Sequence, residues 1–342
     1  MNTSNLLTIR DLTIDFTTYD GTARVVDDLD LYVDRGEIVS LVGESGCGKT
    51  VTAKAVLGIL PMPPGKIAEG EILFRGQDLL RTKDKDLQVL RGKEFGFVPQ
   101  DPMTFLNPIF TIETQMFDMY TFRGSPDVDP LQYLRSFRDS RRRADTVQRA
   151  LDMLRRVNIP DPDRVLRSYP VELSGGMRQR VLIAMALMSR PSFMIADEPA
   201  TALDVSIGEQ INEVLETRVR EEGISVLYIT HDLGVARRLS DRIYVMYAGH
   251  IVETASTQEL FKEPKHPYTL GLLKSVPKIY GEISRGIEGV IPDYYNPPPG
   301  CRFHPRCPHA MPVCRRERPA LREIRAGHRV ACYLYSEEKK NE

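Results

Sequence analysis

The chain has 342 residues, 42% hydrophobic and 27% charged, with a net charge of -1. That is enough apolar material for a sizeable core and for more than one domain. The near-neutral balance gives no electrostatic case for nucleic acid as a partner. The longest unbroken apolar run, 181–188, falls far short of the ~20 residues that span a bilayer, and no apolar leader follows the start. A soluble chain is expected, with any membrane role supplied by partners.

In chain order, LLTIRDLTIDF (6–16) alternates as a strand, YDGT turns, and Leu29, Leu31 and Val33 alternate again. Asp34-Arg35-Gly36 turns into EIVSLVG, a run of buried-strand type, followed by GESGCGKT (43–50) and a helix from about Lys49. Three glycines in six residues cost a helix or strand about 0.5–1 kcal/mol each relative to alanine, and a bound phosphate offsets that cost. The octapeptide matches G-x-x-x-x-G-K-[ST] between a strand and a helix. Gly43, Glu44, Ser45, Gly46, Cys47, Gly48, Lys49, Thr50 and Val51 form the loop and its exit. Its N–H groups and the helix N-terminus cradle phosphate, Lys49 reaches the β- and γ-phosphates, and Thr50 offers a hydroxyl to Mg²⁺. Alone, this motif specifies only a nucleoside triphosphate.

Short strands are predicted at 71–74 and 94–98, and residues 101–190 read as a polar, mostly helical insertion. Within it, 118–140 has no assignable function, and Arg141-Arg142-Arg143 reads as a solvated helix face. FMIAD (193–197) is an apolar strand that delivers Asp197 to a metal, and Glu198 follows directly, placed to orient and polarise an attacking water. A helix at 205–221, a strand in SVLYITHD and a hairpin from RIYVMYAG and HIVET complete an alternating pattern that predicts a mostly parallel, covered sheet. Past 263 the chain turns proline-rich. Its final part carries Cys301, Cys307, Cys314 and Cys332, separated by five, six and seventeen residues. Disulfides are disfavoured for a chain with no export signal, which is expected in a reducing compartment. No C-x₂₋₄-C zinc knuckle occurs, although His304 and His309 lie nearby. Spacing leaves zinc, an iron–sulfur centre and four unliganded thiols open. Cys47 reads as a small filler.

LSGGMRQR (173–180) lies about twenty residues before FMIADE. Here the sequence resembles the ATP-binding cassette (ABC) ATPases of membrane transporters, over residues 6–262 and on through the tail. Leu173, Ser174, Gly175, Gly176 and Met177 resemble the LSGGQ signature, with Met177 replacing the final glutamine. Gln100, in FVPQDP, resembles the Q-loop residue that senses the metal and contacts the membrane subunit. Asp204, in ALD, resembles the D-loop, and His231, in ITHD, the switch histidine. Phe16, or else Tyr19, fits the adenine-stacking aromatic.

The resemblance implies an α/β fold: a P-loop NTPase cassette with a RecA-like core, an antiparallel β subdomain and a helical insertion, plus a small cysteine-rich unit at the C-terminus. The implied domains are a nucleotide-binding core (1–100 and 191–262), a helical signature subdomain (101–190), a linker (263–300), a four-cysteine unit (301–335) and a tail (336–342). It also implies that the signature closes on ATP held by a second cassette. The catalytic set is then Lys49, Glu198 and His231, with Thr50, Gln100 and Asp197 at Mg²⁺. DPMTFLNP, HPYT (266–269) and CRFHPRCP look like the dipeptide/oligopeptide importer group. That group implies two transmembrane permease subunits, a paralogous ATPase partner, an extracytoplasmic solute-binding protein, a place on the cytoplasmic face of the membrane, and a 4Fe–4S cluster on the four cysteines, with Zn²⁺ as the alternative. Nickel, glutathione, opine or oligosaccharide importers, an exporter cassette, a soluble ABC ATPase and a redox sensor are the competing readings.

Overall fold

The computed structural model describes residues 5–201, 203–275 and 286–336, and only the backbone at positions 130, 134, 137 and 138. The described residues form two compact units, one from 1–80 and 228–342 and one from Arg81–Leu227. The chain passes between them after residue 80 and again within the strand Ser225–Thr230.

The first unit contains two sheets. One is antiparallel, ordered Gly21–Asp34, Asn5–Thr18, Gly65–Phe74, Gln77–Asp78. Its first pair runs in register from Leu7↔Val33 through Ile9↔Leu31, so alternate residues bury Leu7, Ile9, Leu29, Leu31 and Val33 on one face. The third strand starts at Gly65, earlier than the predicted 71–74. Lys66, Glu69 and Glu71 leave its outer face polar, which hid it from an apolar scan.

The other sheet is built on the apolar strand Ile38–Val42, every residue of which is buried. It lies parallel to Arg242–Tyr247, from Val39↔Arg242 to Val42↔Val245. Arg242–Tyr247 turns back through Ala248 and Gly249, both at positive φ, into His250–Ser256. Paired positive φ values are the signature of a type I′ turn, and this is the hairpin the sequence predicts. His328–Val330 then pairs with His250–Ser256, and Arg322–Arg325 pairs with His328–Val330. The two strands between Cys314 and Cys332 thus extend this sheet.

Glu253 explains why that extension holds. It is fully buried and accepts from the Lys265 N–H at 2.7 Å and the His266 N–H at 2.9 Å, with His328 Nε2 at 2.8 Å. A buried carboxylate is tolerated only with such partners. Here they tie the start of the helix Pro267–Ser275 and the strand His328–Val330 to one side chain. Tyr247, Tyr268 and Phe303 stack edge to face at 4.6 and 5.1 Å between centroids within the same core.

In the second unit Phe95–Val98 lies parallel to Phe193–Asp197, in register from Phe95↔Phe193 to Val98↔Ala196. The rest is mainly helical: Ile112–Phe122, Pro130–Arg138, Ser140–Arg156, Pro162–Arg167, Gly175–Met188 and Val205–Glu222. Thr111, Asp129, Asp139, Asp161 and Ser174 each cap a helix by accepting a backbone N–H of its first turn. The unassigned stretch 118–140 holds the end of one helix and the short helix Pro130–Arg138. Between them, Phe122 stacks on Tyr133 at 5.5 Å. Among the described residues no helix is long and apolar enough to cross a membrane.

Candidate nucleotide-binding site

The strand Ile38–Val42 delivers the chain to Gly43, and the loop ends at Gly48, the N-cap of the helix Lys49–Val56. Gly48 sits at φ 110°, a conformation that side chains rarely adopt. Lys49 is buried, and its Nζ folds back into the loop, donating to the carbonyls of Gly43 at 2.8 Å and Glu44 at 3.1 Å. The ammonium and the helix N-terminus therefore share one concavity, as an anion site requires. Cys47 is fully buried, and burial pushes its thiol up to about 11, so it is a neutral filler at pH 7. Thr50 and Val51 are half-buried at the start of the helix, and Ser45 and Gly46 are exposed at the loop tip.

The predicted adenine aromatics lie on the first hairpin of the same unit. Phe16 is half-buried opposite Ala23 and Gly65, and Tyr19 is fully exposed at the turn. The sequence reading missed the tyrosines beside them. The Tyr294 carbonyl accepts from Arg24 N–H at 3.2 Å, and the Tyr295 hydroxyl meets Thr18 Oγ1 at 2.8 Å. Both come from the proline-rich connector, whose lack of periodicity conceals its contacts. His231 is exposed just past Thr230, and the next residue, Asp232, caps the helix Leu233–Leu239 by accepting from Gly234 N–H at 2.7 Å.

In the second unit, buried Asp197 ends its strand, and Glu198 follows at φ 47° with only 9% of its surface exposed. A non-glycine residue held there stores about 1–3 kcal/mol of backbone strain, which persists only where surroundings enforce it. The Glu198 carboxylate accepts from Thr201 Oγ1 at 3.1 Å and from Gln100 Nε2 at 3.5 Å, a long contact. Gln100 itself is exposed. Buried Gln179 steadies the turn before it by donating to the Pro99 carbonyl at 3.4 Å. The structure thus brings Gln100 and Glu198 together.

The signature occupies a helix start. Ser174 is exposed and caps Gly175–Met188 by accepting from Met177 N–H at 3.3 Å, and Leu173 is buried. A Cβ on Gly175 would lie 3.1 Å from Leu203 Cδ2, and one on Gly176 2.8 Å from Ile207 Cγ2. A Cβ at either position would therefore crowd a side chain of this unit, whatever else the glycines touch. Asp204 precedes the helix Val205–Glu222 without capping it through its side chain and stays exposed. Its D-loop neighbour at 202 lies outside the described residues.

Cys301, Cys307, Cys314 and Cys332 line one pocket, with His266, His304 and His309 around it. Burial pushes the Cys301 thiol up to about 11 and that of Cys332 up to about 12, and it raises Cys307 as well. Neighbouring thiols oppose ionisation further. Four thiols around one pocket suit a thiophilic metal centre in donor chemistry. Among the described residues, however, no group of three or more His, Cys, Asp or Glu is arranged to hold a metal ion.

The ABC transporter family model matches residues 26–201, and that of the oligopeptide/dipeptide transporter C-terminal region matches 252–314, ending on Cys314. The dipeptide transport ATP-binding protein DppD of Bacillus subtilis is 43% identical over 331 residues, covering 96% of this chain and 94% of that protein. The oligopeptide transport ATP-binding protein OppD of the same organism is 41% identical, over 97% of this chain and 89% of its own. DppD of Escherichia coli is 40% identical, over 96% of each. Among solved structures, the dimeric bacterial ABC transporter cassette MJ0796 superposes with a TM-score of 0.60 at 28% identity, covering 73% of this chain and 98% of that one. A post-hydrolysis dimer of the same cassette with ADP and Pi gives 0.59 at 28% identity, with the same coverage. The fold is that of the P-loop ABC ATPase cassette, with mixed α/β sheets.

Proposed function

The chain belongs to the ABC transporter family as an ATPase subunit of the peptide-importer type, and from that premise we propose that it drives uptake of di- or oligopeptides by clamping ATP between itself and a paralogous sister ATPase. The observation that carries the reading is the phosphate loop closed around buried Lys49, in a chain similar to a transport ATPase over 96% of its length. Lys49 binds the β- and γ-phosphates and Thr50 the metal, with Gln100 and Asp197 as its other ligands. Mg²⁺, when bound, neutralises phosphate charge. Glu198 orients and polarises water, and His231 faces the γ-phosphate. Leu173 to Met177 and Asp204 serve the nucleotide of the opposite subunit, a role consistent with exposed Ser174 and Asp204. Phe16 or Tyr19 stacks on adenine. Because ATP binds the closed pair preferentially, it shifts the population toward closure, and hydrolysis removes the bridge.

Residues 1–100 and 191–262 act as the core and 101–190 as the signature subdomain. Past Gln100, the partly exposed Met103, Phe105, Ile109 and Phe110 offer an apolar surface that fits docking of a helix from a permease subunit. Through two such permeases the chain sits peripherally on the cytoplasmic face of the membrane and serves an extracytoplasmic binding protein. The test is co-expression with candidate permease and partner ATPase subunits, followed by labelled-peptide uptake in proteoliposomes. Joint purification and peptide-dependent ATPase activity are expected. Uptake of nickel, glutathione or a sugar in place of peptide would refute the cargo. Full-speed turnover by the lone chain, with the signature dispensable, would refute the clamp.

We further propose that Cys301, Cys307, Cys314 and Cys332 hold a 4Fe–4S cluster, with Zn²⁺ as the alternative. The support is the donor set around one pocket, where a metal centre would act as a structural staple. Protein purified without oxygen is expected to carry iron and acid-labile sulfide, both lost from Cys314→Ser. Stoichiometric zinc without iron would overturn the cluster.

A further inference from the structure

The phosphate loop is gripped from its outer side by three side chains of the C-terminal region. The Tyr268 hydroxyl accepts from the Glu44 N–H at 2.9 Å. The Tyr294 hydroxyl donates to the Gly46 carbonyl at 2.8 Å. The Arg306 guanidinium forks onto the Glu44 carboxylate at 2.7 and 3.0 Å. Arg306 is itself fixed by donating to the carbonyls of Glu288 at 2.9 Å and Ile287 at 3.0 Å. Its side chain is 5% exposed, against 28% for Glu44.

Glu44 is an awkward residue for this loop. A carboxylate one residue past Gly43 opposes the entry of a polyanion, which the helix N-terminus and Lys49 favour. A buried bidentate guanidinium cancels that charge and fixes the side chain that carries it. We infer that Arg306 is a positioning residue for nucleotide binding: by pairing with Glu44 it removes a repulsive charge from the phosphate loop, so that affinity for ATP depends on the C-terminal region. The inference rests on the nucleotide reading above. It also gives the residue just before Cys307 a task in the cassette.

The experiment measures the Kd for a fluorescent ATP analogue on the full chain, in wild type, Arg306→Gln, Arg306→Lys, Glu44→Gln and the double Glu44→Gln/Arg306→Gln, with thermal melts alongside. Arg306→Gln is expected to weaken binding about tenfold, more at low salt, where an uncompensated carboxylate is least screened. Arg306→Lys keeps the charge, loses the fork, and falls between. The double variant recovers most of the loss, because the charge to be cancelled has gone. A merely structural contact predicts a loss in Glu44→Gln as large as in Arg306→Gln, since either change breaks the pair, whereas charge cancellation predicts none there. Wild-type affinity in Arg306→Gln, or a double variant no better than it, overturns the inference while leaving the ATPase reading intact. A wild type that binds no nucleotide sinks the ATPase reading first. Should Arg306→Gln lose its fold, the double variant decides: near-wild-type binding sustains the charge pairing, and failure there ends it.

Discussion

Glu198→Gln is expected to bind ATP as tightly as wild type and to hydrolyse it about 10²–10⁴-fold more slowly, the span of a lost general base. The geometry makes this substitution clean. Glu198 is held at φ 47° and nearly buried, and an amide of the same shape still accepts the Thr201 hydroxyl now at 3.1 Å. What disappears is the negative charge proposed to polarise water. The variant should therefore accumulate an ATP-bound, closed pair of subunits instead of an unfolded chain. Single-turnover hydrolysis in the assembled transporter, with nucleotide content of the trapped complex, reads both effects. Normal turnover would remove Glu198 from the chemistry and leave its strained backbone unexplained.

Most of the cassette was legible because its signals are local. The phosphate loop needs a fixed spacing between a strand and a helix. Phe193–Asp197 announces itself by an unbroken apolar run into an acid, and the hairpin after Arg242 by alternation around a glycine. The features that escaped reading join residues far apart in the chain. Arg306 and Glu44 are 262 positions apart, and Arg302 reaches Asp27 across 275 at 3.0 Å. Neither pair leaves a periodic trace. The strands Arg322–Arg325 and His328–Val330 are short and rich in arginine, so they resemble loop until the sheet edge beside them is known. The helix Pro130–Arg138 is different: Asp129-Pro130 is a cap followed by proline at the first helical position, which is a local signal. The pocket of four cysteines lies between these cases, since spacing singled out the residues and only the fold gathered them.

The sharpest test of how tightly the loop is built is a single methyl group. Gly43→Ala is expected to weaken ATP binding about a hundredfold and to lower the melting temperature, whereas Gly46→Ala should be the milder change. A Cβ at Gly43 would lie 2.2 Å from the Met246 carbonyl oxygen and 2.8 Å from Cys47 Sγ. Met246 belongs to the central strand Arg242–Tyr247, where its backbone is paired and cannot retreat. The strain therefore falls on the loop, which must lift off the strand and carry the Gly43 carbonyl away from Lys49 Nζ. Overpacking of this kind costs about 1–3 kcal/mol, and the upper end corresponds to two decades in affinity. At Gly46 no atom beyond its chain neighbours lies within 4 Å of the added carbon, and the penalty is only that of a left-handed φ of 83°, about 1–2 kcal/mol. Calorimetric ATP titration and melting curves of the two variants rank them directly. Equal behaviour, or a harmless Gly43→Ala, would mean that the loop is looser than its contacts to Met246 and Lys49 require.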